Sequence, residues 1–359
     1  MPATSYPTRQ LGRNGPTVSA IGFGAMGIGA FYGTPSDDKD AFETLTYAAD
    51  RGVTFWDTSD IYGTSASLVT LGKWFAKTGR RSEIFLATKF GGRDLTPGAA
   101  RPTHPNSKPS YIKRQLEGSL QRLQTDWIDL YYQHRVDPEV PIEGKCAHAR
   151  TLRPYVESGK VKYIGLSECP VDVLRRAKSV PGVGEKVIAA QMEYSPFEID
   201  IETSGFVAAA RELGVSTVAY SPLGRGTPPP SPYKSPDDFE PTDVRRNFPR
   251  FSPEVFPKNL ALVDKFRVIA DALGATPGQV ALAWILAEHP DFVPIPGTKT
   301  VARLEENAKA AEIKLSAEDV KSLRAAVQAA GVVGERYPAA ALVHTGKSCI
   351  PLSEWKGEQ

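Results

Sequence analysis

Four residues whose types suit acid–base chemistry, Asp57, Tyr62, Lys89 and His134, stand at or just after the ends of apolar stretches. Lys89 follows the run IFLAT (84–88), where desolvation favours a neutral amine unless a carboxylate such as Asp57 keeps it charged. A cationic ammonium stabilises a neighbouring phenolate, so Tyr62 would be a stronger acid than a free tyrosine, whose pKa is about 10. With His134 as a further donor, the group could protonate an oxygen that gains negative charge, as carbonyl reduction requires. The hydride must come from a cofactor, because none of these side chains can supply it.

Each of the four residues also has a purely structural interpretation. An aspartate after a strand often caps a helix, a tyrosine commonly packs in the core, and a histidine can be a hydrogen-bonded core residue. A buried lysine is rarely only structural. Because all four occur at strand ends, a shared site is the favoured interpretation.

Eight short β-branched or aromatic runs alternate with amphipathic stretches, which is typical of a parallel sheet. The helical pattern is clearest over 40–51, 110–123 and 171–177. Because the strand ends recur at intervals of about one βα unit, we predict an α/β fold, a closed (β/α)8 TIM-type barrel. The carboxyl ends of its strands would form one common rim. The eight predicted strands lie within 18–26, 53–60, 83–90, 128–135, 160–168, 187–195, 215–222 and 291–298.

The segments outside the alternating strands and helices predict a hairpin, two long loops and a tail. Asn14-Gly15 between short apolar stretches predicts an N-terminal β-hairpin that closes the barrel floor. Segments 91–109 and 225–257, after the third and seventh strands, are long enough to be either functional lids or disordered. We expect one barrel domain over 1–359, with its core at about 11–323 and an irregular tail at about 331–359.

The composition of the 359-residue chain excludes several classes of protein. Its 43 Lys+Arg against 41 Asp+Glu give a net charge of +2, which does not favour a nucleic-acid partner. No run reaches the roughly 18 apolar residues of a membrane span, and no secretory leader is evident. Three cysteines without metal-type spacing indicate neither disulfides nor a metal site, so we expect a cytoplasmic protein. The sequence does not specify an oligomeric state.

A G-x-G-x-x-G pattern at Gly22, Gly24 and Gly27 raises the possibility of a Rossmann dinucleotide site. In a Rossmann fold a helix begins directly after the glycine loop, whereas the sequence predicts no helix before about Asp38. We therefore reject a Rossmann site. Instead, we expect the three glycines to keep the mouth of the first strand free of side chains, so that a flat ligand can lie against the backbone.

Several motifs in order resemble the aldo-keto reductases, specifically the longer branch with pyridoxal reductase-like and potassium-channel β-subunit-like members. They are GFGAMG, DTSDIYG, ATKF, YYQHRVD, YIGLSE, QMEYSPF, AYSPLGRG, FPKNL and PIPGTK, within residues 11 to 323. The resemblance implies a TIM-type barrel that binds NADP(H) across its mouth. It also implies a catalytic tetrad of Asp57, Tyr62, Lys89 and His134.

The same resemblance implies a set of cofactor contacts. Ser167 and Gln191 would hold the nicotinamide carboxamide, and Tyr220 would stack on the nicotinamide ring. Glu168 stands where many members carry asparagine. The other implied contacts are the first-strand residues Met26 and Gly27, Ser221, Leu223 and Arg225 beside the pyrophosphate, Gly297, Thr298, Lys299 and Arg303 at the 2′-phosphate, and Glu306 and Asn307 at the adenine.

The function we predict is NADPH-dependent reduction of a small aldehyde or ketone, with Tyr62 as general acid. One alternative is an NADP(H)-sensing regulatory subunit with vestigial turnover, which the complete tetrad disfavours. The other is a Schiff-base aldolase with Lys89 as nucleophile, which the expected cofactor contacts disfavour. Aromatic residues near the predicted site, namely Phe31, Tyr32, Trp56 and Phe90, predict a mostly apolar substrate pocket.

Overall fold

The computed structural model of the protein describes residues 5–29, 37–143, 148–226 and 235–358, with side chains omitted for 148–150. Phe31 and Tyr32, two of the aromatic residues expected near the substrate, lie outside the described residues. So does part of the predicted loop 225–257.

Eight parallel strands form one sheet whose spatial order follows the order of the chain. All eight predicted runs contain one of these strands. A separate antiparallel hairpin, β1 and β2, precedes them. The strands are β1 Thr8–Gln10, β2 Thr17–Ser19, β3 Phe23–Gly24, β4 Phe55–Asp57, β5 Phe85–Phe90, β6 Ile128–Gln133, β7 Val161–Ser167, β8 Val187–Glu193, β9 Ser216–Tyr220 and β10 Phe292–Pro294.

The first and last strands of the sheet meet and close the barrel. Gly24 and Gly297 form a parallel bridge, and the amide of Gly22 donates to the carbonyl of Pro294 at 2.9 Å. A Cβ atom on Gly24 would lie 2.9 Å from the carbonyl oxygen of Ile295, so only glycine allows this approach. The predicted (β/α)8 TIM-type barrel is confirmed, and two glycines of the G-x-G-x-x-G pattern serve its closure.

The N-terminal hairpin covers the end of the barrel at which the strands begin. Leu11 and Val18 are buried in the cluster that fills the barrel interior, together with residues such as Leu130. The amide of Gly12 donates to Oγ of Ser216, the first residue of β9, at 2.7 Å. The predicted position of the hairpin is therefore confirmed.

Helices surround the sheet, and the amphipathic patterns predicted at 40–51, 110–123 and 171–177 each lie within one of them. In α2, Ala41, Leu45 and Ala48 are buried, Asp37 accepts the N-cap hydrogen bond, and Gly52 ends the helix with a φ of 85°. In the described residues, the α-helices are α1 Met26–Gly29, α2 Asp38–Arg51, α3 Ala66–Thr78, α4 Pro109–Leu123, α5 His148–Glu157, α6 Val171–Lys178, α7 Asp200–Thr203, α8 Phe206–Glu212, α9 Phe256–Leu273, α10 Pro277–Glu288, α11 Val301–Lys309, α12 Ala317–Ala329 and α13 Ala339–Leu342.

The expectation of no helix before about Asp38 is wrong, because the one-turn helix α1 precedes it. Helix α1 follows β3 almost directly, with Ile28 buried. A Cβ on Gly29 would lie 2.9 Å from the amide nitrogen of Ser67, so α1 packs closely against the start of α3. Tertiary packing thus stabilises a turn too short to have a sequence signature. The rejection of a Rossmann site stands, because the sheet is closed.

The long loops and the tail are packed against the strand ends. Short 3-10 helices at Pro236–Asp238, Val244–Asn247 and Pro249–Phe251 enclose a small aromatic cluster of their own. The tail crosses the barrel mouth, where the amide of Gly346 donates to the carbonyl of Glu168 at 3.0 Å. Within the described ranges no single helix has the length and apolar character needed to cross a membrane; α9 and α10 meet that test only together, and a bend of 93° separates them.

Candidate active site

Three adjacent strands and one loop bring the four predicted catalytic residues together. Asp57 ends β4, Lys89 lies near the end of β5, His134 follows β6, and Tyr62 lies in the loop after β4. Parallel strands present their carboxyl ends at the same rim, which is why residues distant in sequence converge. Lys89 is completely buried, Asp57 is 2% exposed, and His134 and Tyr62 are 7% and 9% exposed.

The ammonium group of Lys89 has three hydrogen-bond acceptors. Its Nζ donates to Oδ1 of Asp57 in a short contact, to the carbonyl of Thr58 at 2.9 Å and to the hydroxyl of Tyr62 at 3.3 Å. Gln191 donates to the other carboxylate oxygen of Asp57 at 2.8 Å. A protonated lysine has three N–H donors, so this set of acceptors matches its charged form.

Burial acts on both members of the Asp57–Lys89 pair. It raises the pKa of Asp57 and lowers the pKa of Lys89, while the attraction between the two groups opposes both shifts. The hydrogen bonds from Gln191 to the carboxylate and from Nζ to Thr58 stabilise the charges. We therefore assign a buried ion pair, with its positive end against the phenol of Tyr62.

His134 is held by its neighbours in a neutral form. Its Nδ1 lies 3.0 Å from Oγ of Ser59, and its ring packs edge-on to that of Tyr62 with centroids 6.0 Å apart. Burial lowers the pKa of His134 well below its usual range, and the positive charges of Arg135 and Lys89 lower it further. A neutral imidazole has one N–H donor and one acceptor, so its tautomer decides what it can offer a ligand.

A groove runs from Tyr62 and Asp57 across the barrel mouth to the turn that precedes α11. Of the fourteen cofactor contacts implied by the resemblance, ten line it: Met26, Gly27, Gln191, Tyr220, Ser221, Leu223, Arg225, Gly297, Thr298 and Lys299. The other four, Ser167, Arg303, Glu306 and Asn307, are not among its lining residues. Ser167 is buried at the end of β7, and Arg303 pairs with Glu306 at 2.6 Å on α11.

Comparison with known proteins decides the family. Residues 20–328 match the aldo/keto reductase family. The chain belongs to that family.

Individual members of the aldo/keto reductase family resemble this chain over nearly its whole length. The "Aldo-keto reductase yakc [NADP(+)]" of Schizosaccharomyces pombe is 50% identical over 336 residues, covering 93% of this chain and 95% of that protein. "Aldo-keto reductase str7" of Strobilurus tenacellus is 48% identical over 337 residues, covering 92% and 94%. Among solved structures, a thermostable aldo-keto reductase, Tm1743, in complex with the inhibitor epalrestat, superposes with a TM-score of 0.69 at 31% identity, covering 89% of this chain and 99% of that one.

A charged groove residue of this aldo/keto reductase, Arg245, was missed by sequence reasoning. Arg245 lines the groove and is fixed by a bidentate contact with Asp243, the shorter distance being 2.6 Å. It also donates to the carbonyl of Arg225 at 3.0 Å. The only sequence signal was the basic pair Arg245-Arg246 inside a loop expected to be either a functional lid or disordered.

A buried polar network behind Tyr220 was also missed. The Tyr220 hydroxyl donates to Glu168 at 3.0 Å and lies 3.1 Å from the Tyr337 hydroxyl. Arg336, in the tail, forms ion pairs with Glu168 at 2.5 Å and with Glu193 at 3.1 Å. Burial alone would raise the pKa of Glu168, but Arg336 holds it below its usual value. Glu168, noted as a departure from other family members, therefore anchors the tail to the barrel mouth.

Two aromatic residues expected near the substrate lie elsewhere. Trp56 and Phe90 are fully buried in the core between the sheet and its helices, where Trp56 packs against Trp74 and Phe90 against Tyr131. The cause is strand alternation, since successive side chains point to opposite faces. With Asp57 and Lys89 directed to the site, their immediate neighbours must face the helices.

Proposed function

We propose that this protein reduces small aldehydes or ketones with NADPH, and that Tyr62 is the proton donor. The observation that carries the proposal is the contact of the Tyr62 hydroxyl with the buried Lys89 ammonium at 3.3 Å, at one end of a groove suited to a dinucleotide. The name of the Schizosaccharomyces pombe relative, which includes NADP(+), supports this choice of cofactor.

The residues of the groove fit a long, flat, anionic cofactor. A Cβ atom on Gly27 would contact the side chain of Lys299 at 3.4 Å. Because Gly27 has no side chain, a ligand has room to lie against the backbone beside the Lys299 cation. Arg225 and Arg245 also line the groove, each in an ion pair, with Glu193 and Asp243 respectively, so they add guanidinium groups that can bind phosphate but little net charge. Lys299 lies in the turn before α11, where the positive end of the helix dipole also favours an anion. We assign the 2′-phosphate of NADP(H) to this turn, with Arg303 close by in the first turn of α11.

Bound NADPH would supply the hydride, and side chains of the protein would supply the proton. Tyr62 donates its hydroxyl proton to the carbonyl oxygen, and Lys89 stabilises the phenolate that remains. Asp57 keeps Lys89 charged, and Gln191 holds Asp57 in place. His134, being neutral, orients the carbonyl oxygen through an N–H donor.

The two alternative functions have less support. An aldolase needs a free neutral amine as nucleophile, whereas Lys89 donates to three acceptors and is fully buried. A sensor with vestigial turnover has no need of an assembled proton donor beside the cofactor groove. Carbonyl reduction uses every one of these features.

The test is the consumption of NADPH by the purified protein with a panel of aliphatic and aromatic aldehydes and ketones. We expect one alcohol formed per NADPH consumed, and weaker activity with NADH. Tight NADPH binding without turnover of any carbonyl would favour the sensor. Covalent trapping of a substrate on Lys89 by borohydride would favour the aldolase.

A further inference from the structure

Behind His134 a chain of polar groups leads away from the groove into the protein. Nδ1 of His134 lies 3.0 Å from Oγ of Ser59, which in turn lies 3.1 Å from Oδ1 of Asp60. Ser59 and Asp60 are completely buried. Among the described residues, Oδ2 of Asp60 has no hydrogen-bond partner, and Asp60 forms no ion pair. A buried carboxylate with so few donors is costly to ionise.

The hydrogen bonds between Asp60, Ser59 and His134 can hold their protons in two arrangements, because the Ser59 hydroxyl has one proton and a neutral imidazole has one N–H. If Asp60 is ionised, Ser59 donates to Asp60, and His134 must carry its proton on Nδ1 to donate to Ser59. Nε2 is then an acceptor. If Asp60 is a carboxylic acid, it donates to Ser59, Ser59 donates to Nδ1, and Nε2 carries the proton. Only the second arrangement gives His134 a donor for a carbonyl oxygen.

The surroundings of Asp60 favour the acid form up to about neutral pH. Two positive charges, those of Lys89 and Arg122, attract the carboxylate, and two phenols, those of Tyr111 and Tyr131, lie within electrostatic range. Burial outweighs these attractions and the hydrogen bonds to the carboxyl group, and raises the pKa of Asp60 to about 7. Burial, and after it the positive charges of Arg135 and Lys89 that face His134, keep the pKa of His134 low and its ring neutral while Asp60 titrates.

We propose that Asp60 is a positioning residue which, as a carboxylic acid and through Ser59, holds His134 in the tautomer with its proton on Nε2. The inference deepens the proposed function, on which it rests, because it assigns that proton to the carbonyl oxygen of the substrate. Ionisation of Asp60 reverses both hydrogen bonds and turns Nε2 into an acceptor that repels the same oxygen.

The direct test is ¹⁵N NMR of histidine-labelled protein, with the His134 signals assigned by their loss in His134→Gln. We expect the Nε2–H tautomer at pH 6 in the parent protein and the Nδ1–H tautomer to grow in as the pH rises to 9. Asp60→Asn, whose amide N–H can replace the acid proton, should keep the Nε2–H tautomer at both pH values. Ser59→Ala should release the ring to a mixture of tautomers, whereas Thr58→Val, which removes a neighbouring buried hydroxyl bonded to Ser67, should not.

The kinetic arm uses the ratio of kcat/KM of Asp60→Asn to that of the parent protein, which divides out every pH effect that the two proteins share. This ratio should be near one at pH 6 and rise to about tenfold at pH 9, the effect expected for one hydrogen bond. An Nδ1–H tautomer at pH 6 in the parent protein overturns the proposal. So does an Asp60→Asn protein whose tautomer or kcat/KM follows the pH as the parent's does. If no carbonyl is reduced, the proposed function fails, while the NMR signals still decide the role of Asp60.

Discussion

The hydroxyl of Tyr62 lies 3.3 Å from Nζ of Lys89, and both groups are at least nine-tenths buried. The same Nζ is paired with Asp57, so a full positive charge is held against a phenol in a largely dry site. Electrostatic interactions strengthen where water is excluded. If Tyr62 donates its proton as we propose, the phenolate that remains would therefore be stabilised at the place where it forms.

Breaking this pair on one side should destabilise the fold. Lys89→Met leaves Asp57 as an unpaired buried carboxylate, and we expect a loss of about 3–5 kcal/mol in the free energy of unfolding. The double variant Asp57→Asn, Lys89→Met removes both charges and should recover most of that loss. Urea unfolding measures both values. If the loss in the double variant equals the sum of the losses in Lys89→Met and in Asp57→Asn measured alone, the charges are not coupled.

Removing a cation from the turn before α11 should affect one cofactor only. Lys299→Ala deletes a positive charge placed for the 2′-phosphate, so the Kd for NADPH should rise by about 10- to 150-fold while that for NADH stays unchanged. Titration calorimetry gives both constants. Lys314→Ala, at an exposed position away from the groove, is the matched control. An equal rise in both constants would place the phosphate elsewhere.

Arg336 should be a large contributor to the stability of the tail. Arg336→Ala leaves Glu168 and Glu193 buried with one guanidinium fewer, and we expect a loss of about 3–5 kcal/mol. Adding Glu168→Gln should recover part of it. The free energy of unfolding and the rate of tryptic cleavage after Lys347, a tail site that the variant keeps, report the effect. An Arg336→Ala protein with unchanged stability would show that the two ion pairs contribute nothing.

Asp60 should make stability depend on pH. The pKa of Asp60 is raised in the folded protein to about 7, from an unfolded value near 3.8. The contribution of Asp60 to the free energy of unfolding is therefore fully present below about pH 4 and is lost as the pH rises through 7. Relative to Asp60→Asn, the parent protein should lose of the order of 4 kcal/mol between pH 4 and pH 8. Chemical unfolding of both proteins across this range tests it, and a constant difference between them would mean that Asp60 does not titrate there.

The strands and the catalytic cluster were predictable because each depends on a local pattern. Alternating strand and helix signals predicted the barrel, and the common rim of a barrel brings Asp57, Lys89 and His134 together. Strand alternation places Trp56 and Phe90, the neighbours of Asp57 and Lys89, on the opposite face of the sheet from the site, so the expectation that they line the substrate pocket was wrong.

The remaining features depend on contacts that no local pattern encodes. Arg336 and Glu168 are 168 residues apart, and neither the irregular tail nor a single acidic residue predicts their ion pair. The position of Arg245 in the groove is set by Asp243 and by the course of a long loop. Helix α1 is one turn long and is stabilised by packing against α3, so its own sequence carries almost no signal.

The replacement Tyr62→Phe is the sharpest test of the proposed proton donor, because it removes one oxygen atom and leaves the ring. We predict that kcat for aldehyde reduction by NADPH falls by about 10²- to 10⁴-fold while the Kd for NADPH is unchanged, since general-acid catalysis is lost and the groove is intact. Tyr47→Phe, which removes a hydroxyl bonded to Glu305 on the outer helices, should leave both values unchanged. A Tyr62→Phe protein that reduces aldehydes as fast as the parent protein would contradict the account.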